Sequence, residues 1–248
     1  MATPSPDLAT DAPRIFATTL WGMVRSAGEG HDASTRPALE DLCRVYWRPI
    51  YIYVRRKGHG PEDAQDLTQQ FLSQLITGDQ LRQADPAKGR FRTFLLSRLD
   101  SFLAREWQRA RRQKRGGQFT FIPLNTTHVD DHLARQSARA DDAGTSYLRE
   151  WALTLLKQAL DALRQEYEMA GKREFFQAAR SLLSGQEAPA YPGLSRQLKM
   201  SEGALRVAVH RLRRRYGELL RVEVTRTVAS PREVDEEMRC LMRALGEP

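Results

Sequence analysis

Apolar residues recur every three or four positions along most of the chain, which is the spacing of one face of an α-helix. No apolar–polar alternation typical of a β-strand extends over more than four residues. The pattern therefore predicts an all-α protein. The predicted helices cover residues 15–27, 37–57, 61–77, 90–112, 147–185, 194–200, 202–221 and 231–245.

Two stretches lack this periodicity. Residues 1–14 are rich in Pro, Ser and Asp and are predicted to be a disordered tail. Residues 117–146 mix Gly, Asn, Thr and Asp, and this stretch is too long for a loop within one domain. We therefore expect two helical domains, 15–116 and 147–248, joined by a flexible linker, with the C-terminal helix packing on the second domain.

The distribution of charge narrows the function further. The 248-residue chain has a formal net charge of +8, yet residues 88–115 alone sum to +8 and residues 196–221 to +6. The remainder is therefore net acidic. Two separate basic segments in an otherwise acidic protein are typical of a nucleic-acid-binding protein that contacts its ligand at two places.

The cysteine content and the hydropathy of the chain argue against a disulfide-stabilised, metal-binding, secreted or membrane-spanning protein. Cys43 and Cys240 lie far apart in helical contexts, which is neither a disulfide framework nor the spacing of metal ligands. The first residues do not resemble a signal peptide, and no apolar run approaches the ~18–20 residues that a transmembrane helix needs. We expect a cytoplasmic protein that is not inserted in a membrane and holds no cofactor or metal.

The segment "SEGALRVAVHRLRRRY" carries two different faces. Leu205, Val209, Leu212 and Tyr216 form an apolar stripe, and a basic face lies opposite. With the short helix "LSRQLK" before it, the segment predicts a helix-turn-helix whose second helix enters the major groove of DNA. Arg206 is expected to contact a guanine, and arginines 213–215 to contact phosphates. The predicted DNA-binding residues are Gly203, Arg206, Val207, His210, Arg211 and Arg214.

The helix predicted at 90–112 combines aromatic and basic residues. Taken one at a time, Phe94, Phe102 and Trp107 are expected to lie in the core, on an apolar stripe that begins at Phe91. A polar row beside the stripe suits single-stranded DNA, whose bases stack on aromatic rings while arginines follow the backbone. The row consists of Arg98, Ser101, Arg105, Gln108, Arg109 and Arg112.

Three motifs together resemble bacterial sigma-70 family factors of the extracytoplasmic-function type. They are "PEDAQDLTQQFLSQL", "GRFRTFLLSRLDSFLAREWQRARRQKRGG" and "LSRQLKMSEGALRVAVHRLRRRYGELLR", within residues 37–116 and 150–222. The resemblance implies a non-enzymatic initiation factor that binds core RNA polymerase through the β′ clamp helices and the β flap. It further implies capture of the promoter −10 element by region 2 and duplex recognition of the −35 element by region 4. An anti-sigma protein is a further candidate partner.

The resemblance also assigns roles to individual residues. It places Asp63, Asp66, Gln69 and Gln70 against the β′ clamp helices, the polar row at the −10 element, and the basic helix face at the −35 element. Two positions depart from the family. Ser101 stands where a larger polar residue is common. Lys199 stands where the turn usually has glycine, so a left-handed backbone there would cost about 1 kcal/mol.

Three other functions remain open. A nuclease could use Asp130, Asp131 and His132 as metal ligands, although these residues lie in the least periodic part of the chain. A stand-alone helix-turn-helix regulator would account for residues 191–221 but not for the other two motifs. An RNA-binding regulator is the third alternative.

Overall fold

The computed structural model describes residues 36–77, 80–114, 142–183 and 191–246. In these ranges every regular element is helical and no strand occurs, as the apolar spacing predicts. The α-helices are α1 (Arg36–Arg56), α2 (Pro61–Thr77), α3 (Phe91–Lys114), α4 (Ala143–Met169), α5 (Arg173–Ala179), α6 (Tyr191–Gln197), α7 (Glu202–Thr227) and α8 (Val234–Leu245).

The chain divides by its contacts into two units. Unit 1 comprises Met1–Thr154 with Thr225–Pro248, and unit 2 comprises Leu155–Val224. The division falls inside α4 rather than at the predicted linker, because the beginning of α4 packs with α1 and α3. The predicted tail, the helix predicted at 15–27 and nearly all of the predicted linker lie outside the described residues.

Aromatic contacts between α1, α2 and α3 form the core of unit 1. The rings of Tyr46 and Phe91 lie 5.7 Å apart, and those of Phe71 and Phe102 lie 5.6 Å apart. All four side chains are buried. Helix α1 continues through Pro49, which lies inside it. The apolar periodicity of these three segments therefore marks the faces that meet in the core.

The first turns of α4 complete this core. The Tyr147 hydroxyl donates to the backbone oxygen of Arg92 at 3.2 Å, and Arg48 Nε donates to buried Glu150 at 2.7 Å. Burial raises the pKa of Tyr147 well above its ordinary value, so the phenol remains a neutral donor. These contacts connect α4 to α3 and α1 inside unit 1.

A buried ion pair joins the beginning of α3 to α8. Arg92, 9% exposed, donates to the carboxylate of Glu237, 2% exposed, and to Cys240 Sγ at 3.0 Å. The guanidinium also lies 5.0 Å from the ring centroid of Trp151. Burial by itself would lower the pKa of Arg92, but the negative charge of Glu237 leaves that pKa above its ordinary value. Arg92 therefore remains charged in the interior.

Arg90 lies beside this pair, just before α3 begins. It forms salt bridges with Glu233 at 2.6 Å, Glu236 at 2.7 Å and Glu237 at 3.4 Å. Cations at the N-terminus of a helix interact unfavourably with its dipole, so the acids offset a local electrostatic cost. The two arginines nearest the start of α3 are thus neutralised inside unit 1.

The predicted location of the C-terminal helix is wrong. The sequence places that helix on the second domain, whereas Glu237 and Cys240 contact Arg92 in unit 1. Val234 and Leu241 are buried as well. Helical spacing identifies the apolar face of α8, but it carries no information about which core covers that face.

Unit 2 has a separate apolar core. Leu205, Val209 and Leu212 of α7 are buried there against a cluster that includes Phe176 and Leu194. Tyr216 is half-buried, and its hydroxyl donates to the backbone oxygen of Leu156 at 3.2 Å. The apolar stripe predicted for this helix is therefore confirmed as its buried face.

A four-residue turn connects α6 to α7. The backbone N–H of Met200 donates to Ser195 O at 3.0 Å and that of Lys199 to Arg196 O at 3.3 Å, which is the Schellman pattern at a helix end. Lys199 has φ +52°, the left-handed conformation that the sequence anticipates. The Ser201 hydroxyl then accepts from Ala204 N at 3.2 Å at the start of α7.

None of the helices in the described ranges combines the length and the apolar character that crossing a membrane requires.

We expect Glu237→Gln to lower the free energy of unfolding of unit 1 by about 3–5 kcal/mol, because it leaves Arg92 buried without a counter-charge. Urea denaturation followed by circular dichroism measures the loss. Glu236→Gln is the matched control, since this residue is 66% exposed and pairs with Arg90 at the surface. The control should cost at most about 1 kcal/mol. Equal losses in the two variants would contradict the assignment.

We expect Lys199→Gly to raise the free energy of unfolding of unit 2 by about 0.5–1 kcal/mol, because glycine adopts positive φ without a Cβ clash. Thermal unfolding measures the gain. Lys199→Ala separates backbone strain from charge, since it removes the amine but keeps the Cβ. If alanine stabilised the protein as much as glycine, strain at this turn would not be the cause.

Candidate nucleic-acid interface

All six residues predicted to bind DNA on α7 are exposed, and we call them the α7 surface. Val207, at 52%, is one of few large apolar residues exposed in the described ranges, and nothing in unit 2 covers it. A wholly polar helix face would not need an apolar residue there, whereas base methyl groups in the major groove are apolar ligands. The exposed residues are Gly203, Arg206, Val207, His210, Arg211 and Arg214.

Gly203 lies in the first turn of α7, where a Cβ would meet no atom within 4 Å. The absence of a side chain is therefore not required by packing inside unit 2. It leaves the backbone at the start of α7 open to close approach by a ligand.

Arg206 is the central cation of the α7 surface. Its Cζ atom lies 5.4 Å from the ring centroid of Tyr191, the first residue of α6. Within the described ranges it forms no salt bridge and donates no hydrogen bond. Its donors are thus not consumed inside unit 2.

Further along α7 the arginines have partners. Arg213 donates to the backbone oxygen of Leu182 at 3.0 and 3.3 Å. Arg215 forms two hydrogen bonds with Glu166, at 2.7 and 2.9 Å, and one with Glu218 at 3.0 Å. The sequence predicts that both arginines contact phosphates, but here they stabilise unit 2.

Arg214 has a partner within unit 2 and is also available to a ligand. It donates to Glu218 at 3.0 Å, one turn along the same helix, yet most of its side chain is exposed. Hydrogen bonds from Arg215 and Arg214 lower the pKa of Glu218. This exposed pair is weak, so a phosphate can replace the carboxylate. The basic face of α7 therefore offers fewer free cations than its sequence suggests.

Helix α3 also separates an apolar face from a polar one. Phe91, Leu95, Leu99 and Phe102 are buried, and Phe94 is partly buried. On the other side is the predicted polar row, which we call the α3 surface. Ser101, Arg105, Gln108 and Arg109 are exposed and Arg98 is partly buried, while the side chain of Arg112 lies outside the described residues.

Three members of the α3 surface have partners within unit 1. Arg109, which is exposed, donates to Glu106 Oε1 at 2.7 Å, one turn back on the same helix. Arg98 donates to Gln83 Oε1 at 2.8 Å and lies 5.2 Å from the ring centroid of Phe94. The Ser101 hydroxyl donates to the backbone oxygen of Ser97 at 3.0 Å. This hydroxyl is already engaged with its own helix, so Ser101 is a poor candidate for capturing a base unless that bond breaks.

Trp107 is not a core residue, contrary to the expectation for this position taken singly. It is 57% exposed, and Arg111 Cζ lies 4.3 Å from its ring centroid. The sequence around Trp107 contains a pattern from which its exposure could have been predicted. From Glu106 onward α3 is polar on nearly every side apart from Trp107 and Ala110, so no second apolar position completes a buried stripe. An exposed ring with a stacked guanidinium suits contact with unpaired bases.

Helix α2 presents a polar face of a different kind. Its buried residues are Ala64, Thr68, Phe71, Leu72 and Leu75. The helix contains no lysine or arginine, and its three acids, Glu62, Asp63 and Asp66, have no salt bridge within the described ranges. We call the predicted set the α2 surface; its members Asp63, Asp66, Gln69 and Gln70 are all exposed.

Metal chemistry has no support in the described part of the chain, where no group of three His, Cys, Asp or Glu side chains is arranged to hold an ion. The alternative ligands Asp130, Asp131 and His132 lie outside the described residues.

No protein-family model, curated protein or solved structure matches the chain. The sequence motifs and the α2, α3 and α7 surfaces are the features that indicate a function.

Proposed function

We propose that the chain is a transcription initiation factor of the sigma type, which binds core RNA polymerase and directs it to promoters. In this proposal the α7 surface reads the −35 element as duplex DNA. The α3 surface, together with Trp107, captures the −10 element as a single strand. The α2 surface docks on the β′ clamp helices, and unit 2 contacts the β flap.

The observation that carries the proposal is the separation of faces on α2, α3 and α7. In each helix the apolar stripe is buried inside its own unit, and the polar face that the resemblance assigns to a ligand is exposed. A basic helix whose arginines were all paired within the protein would have no capacity left for DNA. Arg105, Arg206 and Arg211 form no salt bridge in the described ranges.

The chemistry of each surface suits its proposed ligand. Arginine can donate two parallel hydrogen bonds to O6 and N7 of guanine, which only the major groove presents in that pattern. An exposed tryptophan beside arginines favours unpaired bases, because every base has a face that can stack. The acids of the α2 surface favour a basic protein partner over nucleic acid.

A stand-alone regulator of duplex DNA is the competing interpretation. It would use the α7 surface alone and would leave the exposed Trp107 and the acidic α2 surface without a ligand. The two interpretations differ in whether the protein needs polymerase to act on a promoter.

We expect Asp66→Arg to weaken binding to bacterial core RNA polymerase by at least about tenfold, because it reverses the charge at the centre of the α2 surface. Copurification of purified core enzyme with tagged full-length protein measures the effect. Asp235→Arg, an equally large charge change at an exposed site of α8 that belongs to none of the three surfaces, should leave binding unchanged. Retained binding by Asp66→Arg, with an unaltered circular dichroism spectrum, would remove this docking assignment.

A further inference from the structure

Tyr191 connects the core of unit 2 to the α7 surface. It is partly buried and packs against the apolar cluster that contains Leu194 and Leu205. Its ring lies 5.4 Å from the guanidinium carbon of Arg206. The sequence singles out Arg206 but gives no role to this tyrosine, because the two residues are fifteen positions apart on different helices.

Packing on both sides of α6 locates the Tyr191 ring beside α7. Leu194, one turn after Tyr191 on α6, is buried at 3% exposure. The Schellman turn closes the other end of α6 at Lys199 and Met200. The end of α6 and the start of α7 are thus joined by hydrogen bonds and packing, and Tyr191 packs against the same core cluster.

Arg206 has a different kind of partner from arginines 213–215. Those side chains donate to a carbonyl or to carboxylates, and each such bond consumes an N–H group. An aromatic ring attracts the guanidinium through its face and accepts none of its five in-plane donors. Contact with Tyr191 therefore restricts the rotamers of Arg206 while the edge that would fork to guanine stays available.

We propose that Tyr191 is a positioning residue for Arg206 and thereby determines how well the α7 surface discriminates bases. The inference rests on the proposed function and deepens it. Arginine has much rotamer freedom to lose when it forms a bidentate contact. A ring that holds the side chain in one orientation before binding reduces that loss, and the reduction favours the geometrically demanding guanine contact over a phosphate contact.

Two substitutions separate the ring from the rest of the side chain. Tyr191→Phe keeps the aromatic face and removes only the hydroxyl. Tyr191→Leu replaces the ring by an aliphatic side chain that can still fill the edge of the core. Thermal unfolding of both variants shows whether packing is preserved.

The binding probe is the duplex that the wild-type full-length protein, with bacterial core RNA polymerase, selects from a random-sequence library. We expect Tyr191→Leu to bind this duplex roughly two- to fivefold more weakly, with a matching loss of discrimination at one guanine. Tyr191→Phe should bind like the wild type. The dependence of affinity on salt should stay the same in all three proteins, because no phosphate contact is lost.

A double-mutant cycle with Arg206→Ala tests whether Tyr191 affects base discrimination through Arg206. In the Arg206→Ala background, Tyr191→Leu should have no further effect on discrimination. The inference is overturned by any of three results: Tyr191→Leu discriminates as well as the wild type, Tyr191→Phe is as impaired as the leucine variant, or the loss persists without Arg206.

A separate measurement distinguishes failure of this inference from failure of the proposed function. In NMR spectra of the free protein, the Arg206 side-chain protons should be shifted upfield by the ring in the wild type and in Tyr191→Phe, but not in Tyr191→Leu. An unshifted wild type would overturn the contact itself. A wild-type protein that shows the shift but selects no duplex would overturn the proposed function, and with it the role of Tyr191.

Discussion

The buried pair of Arg92 and Glu237 is the interaction on which unit 1 depends. It places two opposite charges in an interior where either alone would be strongly destabilising, so α3 and α8 must be present together. Trp151 and the backbone contact of Tyr147 add the start of α4 to the same cluster. One charge pair thus joins α3, α8 and the start of α4 within unit 1.

Among the arginines of the described ranges, two groups differ clearly in their partners, and Arg214 lies between them. Arg90, Arg92, Arg213 and Arg215 have acids or carbonyls as partners, and they hold segments distant in sequence together inside one unit. Arg105, Arg206 and Arg211 have none within the described ranges. Net charge counts both groups equally, yet only the second can attract a polyanion without disturbing the fold. The interface is therefore smaller and more specific than the charge of its helices suggests.

Much of this organisation follows from the sequence. Periodicity predicts the helices, and it identifies the buried stripe of α7 residue by residue. Periodicity does not predict which other helix or side chain packs against a given helix face. The partner of α8 and the ring beneath Arg206 are both contacts between different helices. A helix carries the pattern of its own faces but no record of its neighbours, which explains why these features emerge only from the three-dimensional structure.

The central claim is that the chain gives RNA polymerase its promoter specificity. Transcription by purified bacterial core polymerase on a library of genomic fragments, with and without the full-length protein, tests it most directly. The account predicts discrete transcripts from a small subset of fragments only when the protein is present. Absence of such transcripts, together with tight binding of the protein alone to duplex fragments, would contradict the account and favour a stand-alone regulator.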